Sequence, residues 1–194
     1  MGFCYSGFWY TVAIMSKAVI SGIGPDQPGI VAAIANILYQ RGCNIVDSTM
    51  TRLANEFAVI LIISVPDNVV FSELQQQFST LEESHNMTLL VKPIPDELSL
   101  ESHQAQNPYM VSVAGNDRAG ITFHVSRKLA EMDINVTDLN AQTIAGENGP
   151  LYIMMVEVDI PDSIAIDTVR AELHALALSI GVEIQLRPLE AVAL

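Results

Sequence analysis

The sequence predicts an α+β protein built from two consecutive βαββαβ units. Three observations carry this: the chain repeats itself, the apolar spacing in each copy alternates between strand and helix periods in one order, and half of the residues are apolar. Sliding the sequence on itself until Ser21 meets Ser112 sets Gly24 on Gly115, Asp26 on Asp117, Gly29 on Gly120 and Ile30 on Ile121. Leu38 then falls on Leu129, Asn44 on Asn135 and Asp47 on Asp138, with Ile34/Val125 and Ile45/Val136 as similar pairs between them. Beyond this run the second copy carries extra residues around Gly146 to Pro150, after which Pro66 aligns with Pro161, so the insertion falls where a hairpin turns.

Each element follows from local periodicity. Residues 17–23 and 109–114 are short, apolar and bounded by glycine, which marks first strands. Helices come next, with stripes Ile30, Ile34, Ile37 and Leu38 in copy one and Ile121, Val125, Leu129 and Met132 in copy two; Gly42 stops the first of them. Two strands follow, 45–53 and 57–65, joined through Ala54-Asn55-Glu56, and their equivalents are 136–144 and 151–159. So short a joint requires an antiparallel hairpin. Second helices carry Phe71, Leu74, Phe78 and Leu81, and Ile166, Val169, Leu173, Leu176 and Ile180. Strands 87–91 and 182–186 close the units. The order βαββαβ is the split βαβ or ferredoxin-like arrangement: one four-stranded antiparallel sheet with two helices on one face. Residues 17–93 and 109–190 are thus the two domains. The stretch 94–108, with Pro95, Pro108, Asp96, Glu97 and Glu101, is an exposed linker. A unit of about 75 residues buries only a thin core, so units are expected to pair, within a chain or as a homo-oligomer.

Residues 1–14 carry no charge and crowd Phe3, Tyr5, Phe8, Trp9 and Tyr10 together. They lack the basic start and small-residue cleavage site of a secretory signal and are too short to span a bilayer. Met15-Ser16-Lys17 resembles an ordinary start, which makes this leader either an in-frame extension or a docking segment outside the fold. No membrane association and a cytoplasmic location are expected. Nine basic against twenty-two acidic side chains give a net charge of −13, with Arg127-Lys128 the one adjacent basic pair. Such a chain repels phosphate backbones, so direct nucleic-acid binding is not expected. The two cysteines, Cys4 and Cys43, make no disulfide framework or metal spacing.

The segment Gly24-Pro25-Asp26-Gln27-Pro28-Gly29-Ile30, echoed by Gly115-Asn116-Asp117-Arg118-Ala119-Gly120-Ile121, is the most informative in the chain. A glycine at a helix start lets a ligand approach the backbone, where free N–H groups favour a carboxylate or phosphate, and an ammonium would find Asp26 or Asp117. The competing reading is that each Asp caps its helix and each Gly merely makes the turn. Asn44 and Asn135 open the second strands, where turn chemistry and ligand binding are both open. The candidate ligand-binding residues are therefore Asp26, Gln27, Pro28, Gly29, Ile30 and Asn44 in copy one, and Asp117, Gly120, Ile121 and Asn135 in copy two. A dinucleotide fingerprint fails, because Gln27 stands where the third glycine belongs and Val113 replaces the first glycine in copy two. His85, His103, His124 and His174 recur in neither copy, so a repeated acid-base site is not expected; no metal or cofactor is called for. Cys43 adjoins an apolar strand and reads as a buried thiol, and the eight methionines read as packing.

The run Gly24-Pro25-Asp26-Gln27-Pro28-Gly29-Ile30-Val31-Ala32-Ala33-Ile34, followed by Gly42-Cys43-Asn44-Ile45-Val46-Asp47, resembles ACT domains, small amino-acid-sensing regulatory modules. Its form is similar to the ACT module in front of formyltetrahydrofolate deformylases, whose catalytic domain has no counterpart in the rest of this sequence. Two tandem units filling a chain of this size resemble the glycine cleavage system transcriptional repressor family. That resemblance implies a non-catalytic cytoplasmic protein that represses glycine-cleavage genes by contacting a DNA-binding transcriptional activator, in response to a small amino acid such as glycine or serine. A regulatory subunit seated on a metabolic enzyme is the alternative. Copy two departs from the pattern: Ala119 and Asn116 replace the two prolines, which leaves its ligand site the weaker of the pair.

Overall fold

The computed structural model describes residues 16–94, 107–146 and 149–189. The expected leader, 1–14, and all but the ends of the expected linker, 94–108, lie outside these residues. The chain divides into two compact units. The first runs β1 (Ser16–Pro25), α1 (Ile30–Gln40), β2 (Asn44–Leu53), β3 (Glu56–Val65), α2 (Phe71–His85) and β4 (Thr88–Ile94). The second repeats it as β5 (Pro108–Asn116), α3 (Ile121–Glu131), β6 (Asn135–Gly146), β7 (Gly149–Asp159), α4 (Ile166–Ile180) and β8 (Glu183–Pro188). Each sheet is antiparallel with the outer hairpin strand at one edge and the last strand at the other, in the orders β2-β3-β1-β4 and β6-β7-β5-β8. This is the ferredoxin-like α+β arrangement the sequence predicts, twice.

The core of the first unit follows from period two in the strands and 3.6 in the helices. Ala18 and Ile20 of β1 and Phe57, Val59, Leu61, Ile63 and Val65 of β3 line one sheet face and are buried. Ile30, Ile34 and Leu38 of α1 and Leu74, Phe78 and Leu81 of α2 cover that face. In the second unit Val111, Val113, Met154, Val156 and Val158 meet Ile121, Val125 and Leu129 of α3 and Val169 and Leu173 of α4. Full burial of each such Leu, Ile or Phe contributes about 1.5–3 kcal/mol, so the helices stay docked through these stripes. Ile37, Phe71, Met132, Leu176 and Ile180 lie at the margins of the cores, half-buried. The opposite sheet face of the first unit keeps Ile23, Ile60 and Leu90 exposed.

Helix ends obey local rules. After α1 the chain turns at Arg41, and Gly42, with φ +68°, sends its N–H back to Tyr39 O at 3.0 Å, which ends the helix where the sequence places the stop. The strand ends obey packing. A Cβ on Gly24 would overlap Met87 Cβ and stand 2.8 Å from Met87 Cα, and one on Gly115 would stand 2.7 Å from Val182 Cγ1, so only glycine lets the first strand of each unit run against the entry to the last. β2 and β6 each carry a bulge, at Val46 and Thr137, where one extra residue opposes the neighbouring strand. Among the described residues no helix is long and apolar enough to cross a membrane.

Candidate functional site

The turn from β1 into α1 is organised by Asp26. Its N–H donates to Asn55 O at 2.8 Å, which ties the turn to the tip of the β2–β3 hairpin. Its carboxylate accepts from Arg52 Nη1 near the end of β2 at 3.5 Å. The second unit repeats the design: Asp117 N–H donates to Pro150 O at 2.9 Å, and its carboxylate accepts from Thr143 Oγ1 at 3.3 Å. Thr143 aligns with Arg52, so the same strand position holds the same aspartate with a cation in one copy and a hydroxyl in the other. The capping expectation is corrected here. The N-cap residues are Gly29 and Gly120, and no side chain caps either helix. Each aspartate is turned away towards the hairpin, because the glycine in between occupies the left-handed region, at φ +97° and +99°.

This leaves the first turns of α1 and α3 with their amides bare of side-chain acceptors. Ala33 N–H and His124 N–H reach back to Gly29 O and Gly120 O, but the three amides before each have no intrahelical acceptor. Neither first turn contains an acid, whereas α2 has Glu73 and α4 has Asp167 in theirs. The positive ends of α1 and α3 are thus not neutralised internally, and an anion seated there gains both donors and the helix field. Gln27, Pro28 and Gly29 are exposed, and a Cβ on Gly29 would meet nothing within 4 Å, so there is open space above the turn. Ile30 and Ile121 are buried, at 1 % and 3 % exposure, and anchor the helix starts from below. They therefore set the height of the amides and offer no surface to a ligand.

The two asparagines do not join this cluster within their own units. Asn44 pairs with Ser64, which pairs with Lys17 at the start of β1, so Asn44 stands at the opposite end of the sheet from Asp26. Nine residues of β1 separate those levels, about 30 Å of extended chain. Asn135 pairs with Asp159 and so lies level with Pro108, again at the far end from Asp117.

Two residues that the sequence reading passed over do gather at the second turn. Arg118 reaches α4, where its Nη2 lies 3.2 Å from where a Cβ of Gly181 would stand. His124, one turn into α3, packs its ring edge-to-face on Phe123 with centroids 5.3 Å apart. With Ala119, Ile121, Ser179 and Ile180 they line a recess of about 240 Å³ beside the α3 start. A cation in the turn itself was the signal available; the helical position of His124 hid its proximity. Elsewhere, burial pushes the Cys43 thiol up against the opposing pull of Arg41, which suits a half-buried packing residue. Among the described residues no group of three or more His, Cys, Asp or Glu side chains gathers in a way that could hold a metal ion.

Comparison with known proteins adds to this geometry. The family model for the ACT domain matches residues 16–92 and 107–187, one match per unit. A UPF0237 protein of Methanocaldococcus jannaschii is 33% identical over 79 residues, which cover 40% of this chain and 88% of that protein. The glycine cleavage system transcriptional repressor of Escherichia coli (strain K12) is 37% identical over 60 residues, 31% of this chain and 32% of the repressor. Among solved structures, one assigned as a glycine cleavage system transcriptional repressor superposes with a TM-score of 0.72 over 91% of this chain and 99% of its own, at 21% identity, a likeness of fold. An unknown protein from Galdieria sulphuraria gives the same TM-score and coverages at 26% identity.

Proposed function

The chain belongs to the ACT domain family, and from that premise we propose that it is a non-catalytic regulator that responds to a small amino acid, glycine or serine, and represses glycine-cleavage genes by contact with a DNA-binding activator in the cytoplasm. The observation that carries the ligand half is the duplicated turn in which a helix start without cap or acid lies beside an aspartate. A carboxylate fits the amides of Ile30, Val31 and Ala32, and an ammonium fits Asp26, whose existing bond to the exposed Arg52, at 3.5 Å, is long and easily exchanged. The repressor half is supported by the tandem architecture, shared over nearly the whole length of a solved structure assigned as such a repressor, and by the match to the Escherichia coli repressor. The charge of −13 supports action through a protein partner.

Isothermal titration of glycine and serine into the full chain tests the ligand. Saturable binding is expected, and Gly29→Val should abolish it by filling the space above the turn and straining the left-handed backbone. Asp26→Asn should weaken it about tenfold, the worth of one charge-assisted bond, while the fold persists. Absence of binding by both amino acids, or full binding by Asp26→Asn, would sink the site assignment. Recovery of a DNA-binding activator on the immobilised full chain from lysate tests the partner; recovery of a metabolic enzyme in its place would favour the subunit reading.

A further inference from the structure

The open sheet faces of the two units differ, and the apolar one belongs to the unit that follows the leader. On the first sheet, away from the helices, Val19, Ser21 and Ile23 of β1 stand beside Ile62, Ile60 and Ala58 of β3. Leu90 of β4 flanks Ser21 from the other side. Val19, Ile23, Ile60, Ile62 and Leu90 thus form one apolar patch around Ser21, with Ile23, Ile60 and Leu90 exposed at 56 %, 50 % and 57 %. Charge is confined to the rim, where Lys92 is paired with Val19 and Asp47 with Ile62. In the second unit Glu157, Met155, Ala114 and Gln185 hold the positions of Ile62, Ile60, Ile23 and Leu90. The second sheet forms without those apolar side chains, so the fold does not demand them. An apolar group of this kind with a polar rim marks a surface that something covers.

What precedes each first strand differs in the same sense. The segment 94–108 before β5 carries Asp96, Glu97 and Glu101, whereas 1–14 before β1 has no charge and five aromatic residues. Each aromatic side chain buries about 150–250 Å² when covered. Because β1 is an inner strand, the leader joins the sheet in the middle of one end, just before Lys17 and Val19 on the open face. From Val19 to Ile23 the patch runs about 13 Å, at about 3.3 Å per residue. The 15 residues before Ser16 suffice for one reversal and a pass along its whole length. We propose that residues 1–14 fold back over the open face of the first sheet and seat their aromatic cluster on Val19, Ile23, Ile60, Ile62 and Leu90. The second unit, preceded by an acidic segment, has no such cover and presents Glu157 and Gln185 in its place. None of the patch residues belongs to the Asp26–Gly29 turn, so the proposal stands independently of any amino-acid ligand.

Trp9 is the single tryptophan of the chain, so its fluorescence reports on the leader alone. In the full chain its emission should lie to the blue of N-acetyltryptophanamide, resist acrylamide quenching several-fold and stay constant on dilution. Ile60→Lys and Leu90→Lys place charges in the patch at exposed positions and should each shift the emission to the red, with far-ultraviolet circular dichroism unchanged. Ile60→Thr, which keeps the β-branched shape suited to a strand, should shift it in the same direction and guards against a folding artefact. Met155→Lys, the same change at the equivalent exposed position of the second sheet, should leave it in place. Water-like emission from the wild type, indifference to the first-unit variants, or an equal response to Met155→Lys would each overturn the proposal. So would a blue shift that vanishes on dilution, which would seat the leader on another copy.

Discussion

At Gly29 the backbone stands at φ +97° with nothing within 4 Å of a would-be Cβ, while at Gly24 a Cβ would overlap Met87. The two glycines answer to different constraints, and alanine should separate them. Gly29→Ala meets only the left-handed backbone penalty, about 1–2 kcal/mol. Gly24→Ala must move the start of β4, and overpacking of this kind costs about 1–3 kcal/mol on its own. Denaturant unfolding of the full chain should rank Gly24→Ala as the more destabilised variant, with the order reversed if the β1–β4 approach is soft. Gly29 was legible as a turn requirement; the demand on Gly24 was not, because it depends on Met87, far along the chain. Asp26 teaches the same lesson. Its local spacing fits a cap, and the actual partners, Asn55 and Arg52, are supplied by a hairpin that sequence proximity does not connect to it.

Strands and helices were readable wherever one face is buried, since burial imposes the period: Phe57, Val59, Leu61, Ile63 and Val65 alternate without a break. β2 shows the limit. All ten of its residues are exposed, so no period is enforced, and its place at the sheet edge follows only from the hairpin. Two side chains of α2 that hold the outer edge of β4 were equally invisible: Glu82 Oε1 accepts from Leu89 N–H at 2.7 Å and Gln75 Oε1 from Val91 N–H at 2.8 Å, yet both look like ordinary polar positions. They make a prediction at this scale. Glu82→Ala removes the acceptor of the Leu89 amide alone, so hydrogen exchange measured by NMR should accelerate at Leu89 and stay unchanged at Val91, which Gln75 still holds. Equal acceleration at both would mean that the two caps act as one.

The duplication was the strongest message of the whole chain, and the structure bears it out down to matching bulges and matching bonds from Asp26 and Asp117. What it could not convey is divergence between the copies in contacts that cross from one element to another. The reach of Arg118 is visible only once α4 is placed beside it. Charge, by contrast, belongs to the molecule as a whole and needs no fold. With −13 net and Arg127-Lys128 as its one basic doublet, the isolated protein should give no mobility shift with a glycine-cleavage promoter fragment even in low salt, where phosphate contacts are strongest. A shift that fades as salt is raised would contradict this.

The bulges at Val46 and Thr137 act as a phase slip in an otherwise two-beat pattern. Ile45 and Asp47 are two residues apart and would share a face in a regular strand, yet Ile45 is paired with Ile63 of the inner series and Asp47 with Ile62 of the outer one. The extra beat lets an isoleucine count inward and an aspartate count outward within three residues. Loss of Val46 would close the slip and leave every later partner in step, whereas loss of any residue from 48 to 52 would throw the remainder of the strand out of time with β3. Variation in chain length is thus tolerable in β2 at the syncopated position, and the same holds for Thr137 in β6.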